Sequence, residues 1–189
     1  MLDESMSIGE IRLIAKTGGK SDFRTAFEKP LRAAVLVMSD SIAAGKKSDL
    51  SGQLIVERLK QEGVHVEDYR IIPDDTEEII RLLKKYADDD KLDLVMTTGG
   101  TGLTPRDRTP EAMTQVIERE APGIVEAARA YGQERTPYSM LSRARAGVRG
   151  RTLIVNLPGS KKGVADSLNA LFPGLLHAFK MIGGGGHEQ

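Results

Sequence analysis

Three short stretches of the chain carry side chains suited to a phosphorylated substrate. The first is Gly99-Gly100-Thr101-Gly102. Glycines at this density let backbone N–H groups turn toward an anion with no Cβ in the way. It is not the dinucleotide-binding fingerprint, because Pro105 takes the place of the third glycine after Gly100 and Gly102. No Gly-Lys-Ser/Thr follows it, so it is not a P-loop either. The second stretch is Arg106-Asp107-Arg108-Thr109-Pro110, a carboxylate between two guanidinium groups. Such a carboxylate can hold Mg²⁺ while the arginines meet phosphate oxygens. The alternative is a surface ion-pair cluster in which Thr109 merely caps a helix. The third is Pro73-Asp74-Asp75. Read alone, Asp75 is a helix cap and Asp74 its solvated neighbour. In the competing reading Asp74 is a second carboxylate near the same metal. Between Met140 and Ala165 lie six basic residues and no Asp or Glu, either a solvated face or a surface that receives phosphate.

The rest of the composition narrows the chemistry. The 189-residue chain has no cysteine, which excludes disulfides and thiolate metal sites. His65, His177 and His187 share no metal-site spacing. Lysine plus arginine balance aspartate plus glutamate at zero net charge, so nothing global argues for a nucleic-acid or membrane partner. No apolar run approaches the roughly 18 residues of a membrane span, and no secretory signal is visible at the N-terminus. A cytoplasmic location is the expectation.

The elements that must position these stretches alternate along the chain. Ala33–Met38 is a continuous apolar run, as expected of a strand buried on both faces. Leu50, Leu54, Ile55 and Leu59 mark a helix that stops at Gly63. Val64–Ile72 is a second strand, and Asp75 with Glu78 forms a capping box that opens a helix through Tyr86. Leu92–Thr98 is a third strand leading into the glycine loop, after which Thr109 caps a helix with Pro110 at its first position. A helix follows Pro122, Thr152–Leu157 is the next strand, and Pro173 should kink or break the last helix. This order implies an α/β fold, a doubly wound, mostly parallel sheet with helices on both faces. The loops after its strands share one edge, where ligands of such folds bind. Residues 1–30 form a polar N-terminal extension, residues 31–182 the domain, and residues 183–189 a flexible tail.

Taken in order, the motifs resemble the molybdopterin adenylyltransferase family, which includes bacterial MogA and MoaB proteins and the G domain of gephyrin. The likeness runs through Ser39-Asp40, Ile72-Pro73-Asp74, Thr97 to Gly102, Pro105-Arg106-Asp107 and Thr109-Pro110-Glu111-Ala112. It continues through Glu118 to Gly123, Met140-Leu141-Ser142-Arg143 and Asn156 to Gly163, covering about residues 32 to 182.

This resemblance implies that the terminal phosphate of the pterin dithiolene attacks the α-phosphate of ATP, with Mg²⁺ present, giving adenylylated pterin and pyrophosphate. It assigns the essential carboxylates and metal ligands to Asp74 and Asp107, and associates Ser142 with the pterin. Ser39, Asp40, Thr98, Gly99, Gly100, Thr101, Gly102, Pro158, Gly159 and Ser160 are expected to bind substrate or nucleotide. Arg106, Arg143 and Lys161 are expected at phosphate or pterin; each could equally be a solvated charge. The implied assembly is a homotrimer or a hexamer of stacked trimers, with other molybdenum-cofactor enzymes as further partners. A binding-only or scaffold protein with the same fold is the alternative. Ile8 to Leu13 and Lys16 to Ser21 resemble the C-terminal end of cyclic pyranopterin monophosphate synthase, an earlier enzyme of the pathway. They mark either a remnant of a fused enzyme or a plain extension.

Overall fold

The computed structural model describes residue 27, residues 29–172 and residues 174–183. The resemblance at residues 8–21, most of the N-terminal extension, and the tail beyond Gly183 lie outside the described residues. A six-stranded sheet organises the rest, in the order β2-β1-β3-β6-β5-β4. Its strands are β1 (Arg32–Met38), β2 (His65–Ile72), β3 (Leu94–Thr98), β4 (Arg119–Glu120), β5 (Ala146–Arg149) and β6 (Thr152–Leu157). Strands β2, β1, β3 and β6 run parallel. The edge pair β4 and β5 is antiparallel, and β5 is also antiparallel to β6. The parallel α/β expectation therefore holds, with an antiparallel margin added.

Alternation along the strands divides the core in two. Ala33 and Val35 of β1, Leu94 and Met96 of β3, and Leu153, Val155 and Leu157 of β6 share one cluster. Against them pack Ile55 and Leu59 of α2 (Ser51–Gln61), Val125 of α5 (Pro122–Gln133), and Val164 and Leu168 of α6 (Lys161–Leu171). The intervening residues Ala34, Leu36, Val95 and Ile154 face the other way. They meet Ile79, Leu82 and Leu83 of α3 (Thr76–Lys84), and Ala112 and Met113 of α4 (Thr109–Thr114). A strand sandwiched this way has no solvent-facing side, which is why Ala33–Met38 of β1 reads as an unbroken apolar run. Truncating Leu82 or Leu83, both fully buried, to alanine should cost about 2–5 kcal/mol.

Several local expectations are refined. Asp75 caps α3 by accepting from the Glu78 N–H at 2.8 Å. The box is only half formed, because Glu78 turns to Arg81 (Nε–Oε2 2.8 Å). After Lys84 the helix continues as a π-helical turn, Lys85–Asp89. Arg108, not Thr109, is the residue before α4; Thr109 is the first helical residue and Pro110 the second. Ser39 opens a short helix, α1 (Asp40–Ala43), by accepting from Ile42 N–H. Pro173 itself lies outside the described residues; α6 ends at Leu171, and a 3₁₀ turn (Gly174–His177) and α7 (Ala178–Ile182) follow. Among the described residues no helix is long and apolar enough to cross a membrane.

Candidate functional site

The C-terminal ends of the four parallel strands converge on one edge, and backbone bonds tie their loops together. Ser39 N–H, after β1, donates to Ile72 O at the end of β2 at 2.9 Å. Gly99 N–H, after β3, donates to Leu157 O at the end of β6 at 3.2 Å, and Thr98 Oγ1–H donates to Pro158 O at 2.6 Å. Ser51 Oγ–H reaches Gly159 O at 3.0 Å. The glycines are needed for this closeness. Gly99 has φ 107°, and a Cβ there would lie 2.2 Å from Met38 O. A Cβ on Gly159 would come within 3.3 Å of Gly99 Cα.

Both predicted carboxylates lie against the glycine loop. A Cβ on Gly100 (φ +61°) would sit 2.2 Å from Thr109 Oγ1 and 3.5 Å from Asp74 Oδ1. A Cβ on Gly102 would lie 2.9 Å from Asp107 Oδ2. Asp74 and Asp107, 33 positions apart in sequence, therefore flank one short loop. Asp40 joins them: Asp40 N–H donates to Asp74 Oδ2 at 3.1 Å, and Asp74 N–H donates to Asp40 Oδ1 at 3.0 Å. Arg106 pairs with Asp40. Asp107 Oδ2 accepts from Thr104 N–H at 2.9 Å and from Thr104 Oγ1–H at 2.6 Å.

These surroundings separate the carboxylates. Burial, reinforced by the nearby Asp40 and Asp107 charges, raises Asp74 above the usual aspartate range despite the Asp40 N–H bond and Arg106. For Asp107 burial acts upward too, but hydrogen bonds from Thr104 and the Gly102 backbone, with the Arg143 charge, bring it below that range. The Asp74 N–H bond and Arg106 hold Asp40 low.

The donors fit Mg²⁺ in its substrate-bridged form. That ion takes one or two carboxylates and completes its shell with water and substrate phosphates. Two flanking carboxylates beside glycine amides match this, and no group of three or more acidic or histidine side chains among the described residues could hold a metal alone. Thr109 Oγ1 supplies a further polar atom. It is buried, lies under Gly100, and has no hydrogen-bond partner.

The other part of the site is a cavity of about 290 Å³ beside β6. Val125, Ala128 and Gly132 of α5 form one wall, and Asn156, Pro158 and Ser160 form another with Gly163 and Ser167 of α6. Ser142, Arg129, Lys162 and Asp166 add polar groups. Asn156 is fully buried and donates from Nδ2 to Thr97 Oγ1 at 2.9 Å, while its Oδ1 has no partner. That oxygen is shut off from solvent, and the Nδ2 of the same amide also reaches Gly99 O at 3.4 Å, so the Asn156 side chain is a buried link between β6 and the glycine loop, not a ligand contact of the cavity.

The predicted residues thus fall into three groups. Ser39, Asp40, Asp74, Gly99 to Gly102, Arg106 and Asp107 gather at the carboxylate end. Ser142, Pro158 and Ser160 line the cavity, and Thr98 and Gly159 join the loops between. Arg143 is directed at the protein's own backbone, with Nε donating to Gly102 O at 2.8 Å. Lys161 is exposed at the start of α6, and its neighbour Lys162 lines the cavity. Sequence reasoning missed Lys162, Asp166, Arg129 and the α5 wall, and quoted Asn156 without giving it a role. The one available signal was an asparagine inside an otherwise apolar strand.

A family model described as "Probable molybdopterin binding domain" matches residues 34–177. The chain belongs to the molybdopterin-binding domain family. Membership places it among proteins of molybdenum cofactor biosynthesis. It is 42% identical over 186 residues to the "Molybdenum cofactor biosynthesis bifunctional protein" of Chlorobaculum tepidum, covering 98% of this chain and 58% of that protein. It thus spans little more than half of that relative. It is 38% identical over 154 residues to the "Molybdopterin adenylyltransferase" of Helicobacter pylori, covering 80% of this chain and 88% of that one. The crystal structure of the molybdopterin biosynthesis enzyme MoaB from Thermus thermophilus superposes with a TM-score of 0.77 at 45% identity, covering 82% and 97% of the two chains. The family match begins at residue 34 and does not bear on the N-terminal resemblance at residues 8–21, whereas the match to the Chlorobaculum tepidum protein takes in nearly the whole chain.

Proposed function

We propose that this chain is a molybdopterin adenylyltransferase: the pterin's terminal phosphate attacks the α-phosphate of Mg-ATP, releasing pyrophosphate. The observation that carries the reading is the placement of Asp74 and Asp107 against one glycine loop, whose neighbouring strand β6 lines a cavity. A phosphate nucleophile is already anionic at neutral pH, so the absence of cysteine or a poised histidine is no obstacle. The work of the site is to align two polyanions and offset charge on the α-phosphate and leaving group. Asp74 and Asp107 would hold Mg²⁺, which supplies charge neutralisation at the phosphates. Amides of Gly100 to Gly102 turn N–H groups toward the same anions. Arg106 leaves Asp40 for phosphate once ATP is present.

The pterin takes the cavity in this reading. Ser142 lies on its lining and Lys162 faces the pterin's phosphate. The chain assembles as a homotrimer or stacked hexamer, as its resemblance implies, and sedimentation would report either. The binding-only alternative keeps the cavity and gives up the metal. Incubating the chain with pterin dithiolene and Mg-ATP should release one pyrophosphate per pterin, and chelation should stop it. Tight pterin binding with no pyrophosphate would leave only the binding protein.

A further inference from the structure

One cation at the edge of the site is committed wholly to holding a loop. Arg143 N–H donates to Thr101 O at 2.9 Å. Its guanidinium then spreads over the segment that follows: Nε–H to Gly102 O at 2.8 Å, Nη2–H to Asp107 O, and Nη1–H to Glu111 Oε1 at 2.5 Å. Both ends of the Gly102–Asp107 segment and helix α4 are thereby joined by one planar fork. The segment contains no strand or helix of its own, and Leu103 within it is 65% exposed, so packing contributes little to fixing it. Ordering such backbone costs about 1–2 kcal/mol per residue, and charge-assisted hydrogen bonds are the strongest available to offset that.

We propose that Arg143 is a positioning residue, which holds the Gly102–Asp107 segment so that the Asp107 carboxylate stays beside the glycine loop, and does not itself contact phosphate. The inference rests on the reading above only in giving Asp107 to the metal; the clamp stands apart from it. Lysine keeps the charge but cannot reach three acceptors in a fork, so Arg143→Lys isolates geometry from charge.

Amide hydrogen exchange on the full chain tests the clamp without nucleotide. Arg143→Lys should speed exchange in residues 101–107 by roughly tenfold or more, as expected for losing a charged hydrogen bond, with strands β1 and β3 unchanged. Unchanged exchange in 101–107 overturns the proposal, as does equal acceleration everywhere. Mn²⁺ titration in the presence of ATP, followed by electron paramagnetic resonance, tests the route of action. Arg143→Lys should weaken Mn²⁺ binding by roughly tenfold in the unsubstituted chain and add nothing in the Asp107→Ala background. Equal losses in both backgrounds would show a direct contact with nucleotide and overturn it. If the unsubstituted chain binds no Mn²⁺ with ATP, the metal reading fails, and the exchange result alone decides the clamp.

Discussion

The two ends of this site are made of opposite materials. At one end three aspartates and an arginine gather just beyond the strand tips, bonded mainly to each other and to backbone. At the other, a helix wall of Val125, Ala128 and Gly132 lines a cavity to which Ser142, Arg129 and Lys162 add a few polar groups. The first end suits charge that moves during a reaction; the second suits a flat heterocycle that must be recognised and kept still. A protein that only stored the pterin would need the cavity and not the carboxylates, so substitutions that separate the ends are informative.

The largest effect is expected at the carboxylates. Asp107→Ala or Asp74→Ala should lower pyrophosphate release by on the order of 100-fold or more, since each removes a metal ligand. Rates near normal in both would sink the metal assignment. Gly100→Ala comes next. A Cβ 2.2 Å from Thr109 Oγ1 at φ +61° must displace the loop, and a steady-state assay should show a loss of roughly 10- to 100-fold. Alanine in place of Thr109, which removes Oγ1, should partly restore that variant by relieving the contact. At the cavity end, Ser142→Ala should weaken pterin affinity by roughly 3- to 10-fold, the worth of one hydrogen bond, and leave the Mg²⁺ requirement alone. Fluorescence titration of the pterin would read both.

The smallest effect concerns stability and has the opposite sign to activity. Burial raises Asp74 in the folded chain, so the folded state holds its proton more firmly than the unfolded one. The resulting stabilisation is present at low pH and disappears as pH rises through the raised value. At neutral pH the ionised Asp74 is therefore a cost. Asp74→Asn should abolish turnover yet raise Tm by on the order of 2 °C, with the gain vanishing in acid. A lowered Tm at neutral pH would contradict the burial argument. The same shift makes Asp74 protonate before Asp107 and Asp40 as pH falls, both of which are held low. Mg²⁺ affinity should accordingly fail first through Asp74.

Legibility in the sequence follows the same division. The central strands were readable because burial on both faces leaves mostly apolar runs, and Thr152–Leu157 matched to the residue. Strands β4 and β5 were not, because Arg119–Glu120 and Ala146–Arg149 are too short and too polar to show a period. The turn at Gly150 (φ +56°) between β5 and β6 was the available hint. At the carboxylate end the glycine loop and Asp107 were legible as a cluster after β3, whereas Asp74 read alone as a solvated neighbour of a helix cap and was singled out only by the family resemblance. The cavity was not legible: α5, the Ser142 turn and α6 each contribute only a few side chains, and nothing in their spacing predicts that they meet. Arg143 reads as one more basic residue until its three acceptors are seen.

Metal-nucleotide and pterin are expected to occupy separable ends of one site, and the function proposed for this chain depends on that separation. Calorimetric titration of pterin dithiolene and of Mg-ATP, each alone, into Asp107→Ala and Ser142→Ala measures it directly. Asp107→Ala should bind pterin normally and Mg-ATP roughly tenfold or more weakly, whereas Ser142→Ala should weaken pterin and leave Mg-ATP unchanged. Loss of both ligands together in either folded variant would contradict the separation.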